Sequence, residues 1–130
     1  MKKKDVLSKN QKIVFDFILK TRKPVKAYSI LAALKNKGIN APPQVYRALE
    51  KLIELGKIHK VESQNSFVAC KSSSCKSSHT TIFSICESCD SVSEVNDPKL
   101  SKYLLELKET NGVKLNSYNV ELFGKCKTCI

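Results

Sequence analysis

The sequence predicts an α+β fold with two small domains, because the pattern of apolar residues changes along the chain. Three segments with helical apolar spacing come first, and two strand-like segments follow them. The second half places strands around a single helix and carries two Cys-x-x-Cys pairs. At 130 residues the chain is long enough for one or two domains, each near the size at which an apolar core alone is marginal.

The first two helices are bounded by recognisable start and stop residues. Ser8 is a suitable N-cap for the first helix, and Pro24 ends it. A second helix is expected from about Lys26 to Lys37, where Gly38 stops it. The apolar residues expected to face inward are Ile13, Val14, Phe17, Ile18, Ile30, Leu31 and Leu34.

The third helix is expected to begin at Pro42 and to stop at Gly56, because proline fits the first turn and glycine the C-terminus. Its buried stripe is expected to contain Val45, Leu49, Leu52 and Ile53. Its opposite side carries Gln44, Arg47, Ala48 and Lys51. Segments 57–61 and 67–70 then flank a polar turn and predict a β-hairpin. Three helices followed by a hairpin form a winged helix, which we assign to residues 1–70.

The second half is predicted to be a separate α/β domain, residues 79–130, behind a Ser- and Lys-rich hinge at residues 71–78. Its expected elements are strands Thr80–Ile85 and Val92–Val95, a helix from Asp97 to about Thr110 that Asn111-Gly112 ends, and a strand Tyr118–Leu122. This arrangement has little core and exposed strand edges. We therefore expect a dimerisation domain that buries itself against a second copy of the chain.

The net charge of +11 lies almost entirely in the first half. Residues 1–69 carry 15 Lys or Arg against 5 Asp or Glu, a net of +10, whereas residues 70–130 carry 8 against 7, a net of +1. A basic surface confined to one domain is typical of binding to a polyanion. We therefore expect the winged helix to bind double-stranded DNA.

The third helix has the features of a recognition helix. Its outer face presents Arg47 and Lys51 one turn apart, with Gln44 near its start, where side chains reach base edges in a major groove. Tyr46 lies between the two faces, and Tyr28 lies at the beginning of the second helix. The planar guanidinium of Arg47 suits bidentate contact with guanine, whereas for Lys51 alone a solvated charge is the better explanation.

Two Cys-x-x-Cys pairs, Cys86/Cys89 and Cys126/Cys129, supply the four thiolates of a closed tetrahedral Zn²⁺ site. Zinc binding there would add to the folding free energy of a small domain. The chain start lacks the apolar stretch of a signal peptide, and no run approaches the roughly 20 apolar residues of a membrane span. We expect a cytoplasmic, reducing location, which favours metal over disulfide for the six cysteines.

The same observations argue against an enzyme. Catalytic zinc keeps a position for water, and an all-cysteine set leaves none. A redox Cys-x-x-Cys pair normally opens a helix, whereas these pairs follow predicted strands. The chain has only two histidines, no Gly-rich phosphate loop and no Ser/His/Asp arrangement. We expect no catalytic residues and no small-molecule substrate.

Several motifs resemble those of one protein family. Residues 42–49, Pro-Pro-Gln-Val-Tyr-Arg-Ala-Leu, and 58–63, Ile-His-Lys-Val-Glu-Ser, resemble the core signature of the ferric uptake regulator (Fur) superfamily, in particular its zinc-responsive branch, the zinc uptake regulators (Zur). Residues 79–81, 85–89 and 119–121 extend the match over essentially the full chain. The resemblance implies a homodimeric repressor that binds palindromic operators when zinc-loaded and shuts off zinc-uptake genes.

The resemblance also implies roles for individual residues. Its structural zinc falls on Cys86, Cys89, Cys126 and Cys129. Its regulatory zinc falls on His59, Cys70, His79 and Glu94, a legitimate tetrahedral set, so two Zn²⁺ ions per chain are expected. Its DNA contacts fall on Tyr28 and Arg47. Gln44 stands where the family usually has threonine, and Asp90 stands where it usually has glycine.

Two alternatives stay open at this point. An iron or peroxide sensor of the same superfamily would use several histidines, whereas this chain has only two, and a thiolate ligand favours zinc. A zinc-ribbon scaffold without a sensing role would need the paired cysteines but neither His59 nor His79. Cys75, in the predicted hinge, is interpreted as a spare thiol because both four-ligand sets are complete without it.

Overall fold

The structure, a computed structural model, divides into two compact units, Met1–Ser77 and Ser78–Ile130. The described residues are 6–21, 23–70 and 80–130. The predicted hinge at 71–78 lies outside them, and the domain bounds 1–70 and 79–130 stay predictions. Within the described residues, no helix is long and apolar enough to cross a membrane.

The N-terminal unit begins with three helices, α1 (Lys9–Thr21), α2 (Ala27–Leu34) and α3 (Pro42–Glu54). The predicted cap of α1 is confirmed: the Ser8 Oγ accepts a hydrogen bond from the Gln11 N–H at 3.2 Å, and the Gln11 side chain accepts one from the Ser8 N–H at 2.9 Å. α2 is shorter than expected. It gives way to a 3₁₀ turn, Lys35–Lys37, before Gly38, whose φ is 94°.

The predicted stop of α3 is confirmed: its last helical residue is Glu54, and Gly56 shortly after it has a left-handed backbone with φ 75°. The Gly56 N–H donates to the Ile53 carbonyl at 2.9 Å, and the Lys57 N–H donates to the Leu52 carbonyl at 2.9 Å. This pair of bonds is the Schellman motif, which satisfies carbonyls that a helix end leaves open. A residue with a Cβ atom would cost roughly 1–2 kcal/mol more in this conformation.

One apolar core holds the N-terminal unit together. It consists of Val14, Ile18, Val25, Ile30, Leu34, Ile39, Val45, Ala48, Leu49, Leu52, Ile58 and Phe67. The predicted stripe of α3 is confirmed, with Ile53 partly buried at its edge. The prediction that Ala48 lies on the outer face is wrong, because Ala48 is only 3% exposed. α3 packs against both α1 and α2, so its buried face is wider than a single stripe.

A hairpin completes the winged helix. Its antiparallel strands are β1 (Ile58–Val61) and β2 (Ser66–Ala69). Val25, just before α2, pairs with Phe67 through two backbone hydrogen bonds of 3.0 and 2.8 Å. The Lys26 ammonium also donates to the Gln64 carbonyl in the hairpin turn at 2.7 Å. The start of α2 is therefore fixed to the hairpin.

The C-terminal unit holds a three-stranded sheet, one helix and a small hairpin. Its elements are β3 (Thr80–Cys86), β4 (Val92–Glu94), α4 (Pro98–Glu106), β5 (Glu109–Thr110), β6 (Val113–Lys114) and β7 (Tyr118–Gly124). The sheet order is β4–β3–β7, with β4 antiparallel and β7 parallel to the central strand β3. Because β3 and β7 are parallel, both end at the same edge of the sheet.

α4 is shorter than the sequence predicts, and a hairpin follows it. Asp97 caps the helix by accepting hydrogen bonds from two N–H groups of the first turn, at 3.1 and 3.3 Å. The helix ends at Glu106, whereas Asn111-Gly112, expected to end it, forms the turn between β5 and β6. Both turn residues have positive φ, 49° and 80°. Asn-Gly is strongly favoured in such a hairpin turn, which explains the difference.

The buried part of the C-terminal unit is small. Its buried residues, among those described, are Thr81, Ile82, Phe83, Ile85 and Cys86, all in β3. None of the described residues of α4 is buried. On β7, an edge strand, Leu122 is 46% exposed and Phe123 is 55% exposed. Apolar side chains exposed beside an open strand edge are typical of a surface that another chain covers.

Leu49→Ala is expected to destabilise the N-terminal unit by about 2–5 kcal/mol, the usual cost of a Leu→Ala cavity. Leu49 is 1% exposed, whereas Leu19 on α1 is 46% exposed and offers a matched control. Leu19→Ala should stay within about 0.5 kcal/mol of the parent chain. Urea unfolding followed by helical circular dichroism measures both variants, and equal destabilisation would contradict the core assignment.

Candidate metal centre and nucleic-acid interface

The four paired cysteines lie together at one edge of the C-terminal sheet. Cys86 is the last residue of β3, and it lies opposite Gly124, the last residue of the parallel strand β7. The second Cys-x-x-Cys pair follows β7 directly, so the two strands deliver both pairs to one place. The free thiols whose sulfurs lie within 4.8 Å of one another are Cys86, Cys89, Cys126 and Cys129.

Backbone hydrogen bonds hold each cysteine pair in a tight turn. The Asp90 N–H donates to the Cys86 carbonyl at 2.9 Å, and the Cys129 N–H donates to the Cys126 carbonyl at 3.0 Å. Asp90 has a φ of 62°, a left-handed conformation that Asp adopts more readily than most residues. Each turn directs both of its sulfurs toward the same point.

The thiols alter one another's protonation. Hydrogen bonds from the N–H groups of Cys126, at 3.4 Å, and of Cys89 lower the pKa of the Cys86 thiol from 9.0 to about 6. The Cys129 N–H lowers the pKa of Cys126 in the same way. In contrast, hydrogen bonding with the sulfurs of Cys126, Cys86 and Cys89 raises the pKa of Cys129 to about 12. The cluster therefore retains a proton at neutral pH when it holds no cation.

These residues fit a structural zinc site. Zn²⁺ is bound tetrahedrally by deprotonated cysteines at about 2.3 Å, and its charge favours loss of the remaining thiol proton. A tetrahedral set of four sulfurs is typical of zinc or of an iron–sulfur centre. A complete sulfur set also leaves no position for a reactive water.

The hairpin of the N-terminal unit brings together a histidine and a cysteine, two residue types that can bind a metal ion. His59 lies in β1 opposite Val68, and Cys70 follows β2 two residues after Val68. The two side chains are therefore diagonal neighbours on one face of the hairpin. Their ligand atoms lie within 4.8 Å of each other. His59 is only 2% exposed, and Cys70 is half-buried.

The other residues of the predicted regulatory set lie elsewhere in the chain. Glu94 is the last residue of β4 in the C-terminal unit, where it pairs with Phe83 and is half-buried. His79 and Cys75 lie outside the described residues. Cys70 is disulfide-bonded in the structure, contrary to the expectation of metal over disulfide for all six cysteines. Because zinc binds the thiolate, metal binding at Cys70 requires the reduced form.

The outer face of α3 presents predicted DNA contacts. Tyr46 is 52% exposed. Arg47 is also exposed, and its guanidinium makes neither a hydrogen bond nor an ion pair with the described residues. Lys51 pairs with Glu54 at 3.8 Å, a surface ion pair of small energy. Tyr28, in the first turn of α2, is 71% exposed.

Gln44, also predicted to contact DNA, has its side-chain amide turned toward the loop before α3. The Gln44 Oε1 accepts hydrogen bonds from the N–H groups of Asn40, at 2.9 Å, and Ala41, at 3.0 Å. The Gln44 Nε2 donates to the Gly38 carbonyl at 3.3 Å. These bonds join the first turn of α3 to the preceding loop.

A cleft of ≈ 520 Å³ lies between the start of α2, α3 and the hairpin. Its lining residues include Lys26, Tyr28, Tyr46, Leu49, Ile53, Lys60 and Phe67. Sequence reasoning missed Lys26 and Lys60 as members of the basic surface. Their position beside the two tyrosines depends on the pairing of Val25 with the hairpin, which no local pattern predicts.

Cys129→Ser is expected to lose the tightly held metal and to unfold the C-terminal unit, because three thiolates leave the tetrahedron incomplete. Thr128→Ser changes the adjacent residue without removing a sulfur and should behave as the parent chain. Elemental analysis after treatment with a mild chelator counts the metal, and circular dichroism follows the fold. Full metal retention by Cys129→Ser would show that the four sulfurs do not form one site.

Sequence comparison relates the chain to known regulators. A family model described as the ferric uptake regulator family matches residues 6–123. The zinc uptake regulation protein of Escherichia coli (strain K12) is 36% identical over 107 residues, which are 82% of this chain and 62% of that protein. The match therefore spans less than two thirds of the length of the curated relative.

Structural comparison gives the same relationship. Holo XcZur is similar with a TM-score of 0.82 and 34% identity, covering 94% of this chain and 84% of that one. A zinc uptake regulator complexed with zinc and DNA gives a TM-score of 0.83 and 31% identity, covering 97% and 84%. The predicted α+β fold with a winged helix is confirmed. With the family match over residues 6–123, these likenesses show that the chain belongs to the ferric uptake regulator family.

Proposed function

We propose that this chain is a zinc-responsive, DNA-binding transcriptional repressor that uses zinc as its corepressor and controls zinc-uptake genes. The observation that carries the proposal is the likeness, at 31% identity over 97% of the chain, to a zinc uptake regulator complexed with zinc and DNA. The Escherichia coli relative bears the name zinc uptake regulation protein, which supports the same proposed function.

The proposed DNA-binding surface is the outer face of α3 together with the start of α2. The net charge of +10 on residues 1–69 attracts phosphates without regard to sequence. The exposed Arg47 guanidinium is free to make a bidentate contact with guanine in a major groove. Tyr28 and Tyr46 line the adjacent cleft, and Lys51 is proposed to contact the DNA backbone.

Two zinc sites per chain are proposed. The structural site consists of Cys86, Cys89, Cys126 and Cys129. The regulatory site consists of His59, Cys70, His79 and Glu94. The short distance between the ligand atoms of His59 and Cys70 supports the second site. A set with one thiolate exchanges its metal more readily than four thiolates do, so the second site is assigned to sensing and the first to holding the fold.

The proposed regulatory ligands belong to both units, with His59 and Cys70 in the first and Glu94 in the second. A bound zinc ion would be coordinated by all of these residues together. His59 and Cys70 would then hold the hairpin of the winged helix in one orientation. A winged helix already held in its DNA-binding orientation binds DNA more tightly, because binding no longer has to select that orientation from a larger population. Zinc binding and DNA binding are then reciprocally coupled.

A homodimer is proposed from the small core of the C-terminal unit and from the exposed Leu122 and Phe123 beside an open strand edge. In a dimer, two α3 helices would meet major grooves about 34–36 Å apart, one turn of the duplex. The two-fold symmetry of such a dimer calls for a palindromic operator. We place the protein in the cytoplasm, as a regulator without enzymatic activity or a small-molecule substrate.

Zinc-dependent DNA binding is expected to fail when a regulatory ligand is removed. A palindromic duplex is first selected from a random pool with the zinc-loaded chain. His79→Ala and Glu94→Gln are each expected to lower zinc-dependent affinity for this duplex about 10-fold or more, while the dimer persists in sedimentation. Glu62→Gln, which removes an exposed carboxylate of the hairpin turn, is the control and should leave zinc dependence unchanged.

Other outcomes of this experiment separate the alternatives. Equal affinity of the parent chain with and without zinc would favour a zinc-ribbon scaffold without a sensing role. Activation by Fe²⁺ alone, or release of DNA by peroxide, would favour an iron or peroxide sensor. Parental behaviour of His79→Ala would show that the proposed ligand set is wrong.

Arg47→Lys is expected to weaken binding to the selected duplex roughly 5- to 100-fold and to relax preference at one base pair of each half-site, since lysine cannot contact guanine in a bidentate way. Lys51→Ala is the comparison variant. It should weaken binding to all sequences alike. It should also reduce the slope of log affinity against log salt concentration by about 1. Titrations against single-base variants at several salt concentrations measure both effects. Unchanged base preference in Arg47→Lys would exclude Arg47 as a base contact.

A further inference from the structure

The start of α3 lacks the usual helix-capping residues. α3 opens with Pro42 and Pro43, neither of which has a backbone N–H group. Ala41, at the N-cap position, has no side-chain acceptor, whereas Ser, Thr, Asp and Asn are the residues that normally cap a helix start. The N–H groups of Asn40 and Ala41 precede the helix, so the hydrogen-bond ladder of the helix supplies no acceptor for them either.

Gln44 supplies that acceptor from inside the helix. Its Oε1 accepts from both N–H groups, and its Nε2 donates to the Gly38 carbonyl. The Gln44 backbone N–H also donates to the Ala41 carbonyl at 3.0 Å. One side-chain amide thus ties the loop of residues 38–41 to the first turn of α3.

These bonds compete with a role of Gln44 in reading bases. A glutamine that recognises adenine needs its carbonyl oxygen for N6 and its N–H for N7. In this structure, both lone pairs of the Gln44 oxygen are used by backbone N–H groups. Turning the amide toward a base would leave Asn40 and Ala41 without their acceptor.

We propose that Gln44 is a positioning residue for DNA recognition. It fixes the start of α3 and thereby the direction in which Tyr46 and Arg47, close behind it on the helix, face the duplex. This inference rests on the proposed DNA-binding function. Because the helix start is already ordered in the free protein, binding does not bear the cost of ordering it.

α1 offers a matched comparison within the same chain. The Gln11 side chain accepts a hydrogen bond from the Ser8 N–H at 2.9 Å. The Gln44 side chain accepts one from the Ala41 N–H in the same way at the start of α3. α1 carries none of the proposed DNA contacts. A change at Gln11 therefore disturbs a helix start without disturbing the recognition helix.

Gln44→Met preserves the length of the side chain and removes its three hydrogen bonds, and Gln11→Met is the control. In the full zinc-loaded chain, exchange of the Asn40 and Ala41 amide protons, followed by NMR, is expected to accelerate about fivefold or more in Gln44→Met only. Affinity for the selected duplex is expected to fall about fivefold in Gln44→Met, with the order of base preferences unchanged. Gln11→Met should lower Tm without changing DNA affinity.

A rescue variant separates positioning from contact. Ala41→Ser combined with Gln44→Met adds an N-cap hydroxyl that can accept from the N–H of residue 44, so it holds the start of α3 through a different bond and without an amide at position 44. It is expected to recover most of the lost affinity. A residue that touched a base could not be replaced in this way.

Three results would overturn the proposal. Loss of preference at one base pair in Gln44→Met, with unchanged exchange at Asn40 and Ala41, would make Gln44 a base contact. Parental DNA affinity in Gln44→Met despite faster exchange would make it a cap without a role in recognition. If the parent chain binds no duplex, the proposed function fails and the positioning role fails with it, whereas amide exchange still decides whether Gln44 caps α3.

Discussion

Four cysteine sulfurs within 4.8 Å of one another form the constraint on which the C-terminal unit depends. Hydrogen bonding with Cys126 and its neighbours raises the pKa of Cys129 to about 12, so the cluster keeps a proton unless a cation replaces it. The buried residues described in this unit all lie on β3, which is a small core for an independent domain. Coordination of zinc would add the stability that apolar burial does not provide. The N-terminal unit differs, because its three helices and hairpin share one continuous core.

Features that depend on a few neighbouring residues could be predicted from the sequence. Ser8 and Gln11 form the cap at the start of α1, and Gly56 ends α3 in a left-handed conformation. The spacing of the Cys-x-x-Cys pairs likewise anticipates four sulfurs at one place, because β3 and β7 each run directly into a pair. The cap and the helix end are decided within a turn or two of the chain, whereas the two cysteine pairs meet because β3 and β7 pair in parallel.

Features that depend on packing, or on competition between two local preferences, could not be predicted. Ala48 is buried because two helices pack against α3, which a single apolar stripe does not reveal. Asn111-Gly112 suits both a helix end and a hairpin turn, and pairing of β5 with β6 decides between them. Gln44 lies on the polar side of α3 in the sequence pattern, yet its amide is engaged by the loop before the helix. The cleft beside Lys26 likewise depends on tertiary structure.

If the four paired cysteines hold the more tightly bound zinc ion, its coordination shell must consist of sulfur alone. Zinc K-edge X-ray absorption of the full chain loaded with one equivalent of zinc measures that shell directly. We predict four sulfur neighbours at about 2.3 Å and no nitrogen or oxygen neighbour. Fewer than four sulfurs, or a nitrogen or oxygen ligand in the first shell, would contradict the assignment of Cys86, Cys89, Cys126 and Cys129 to a single structural site.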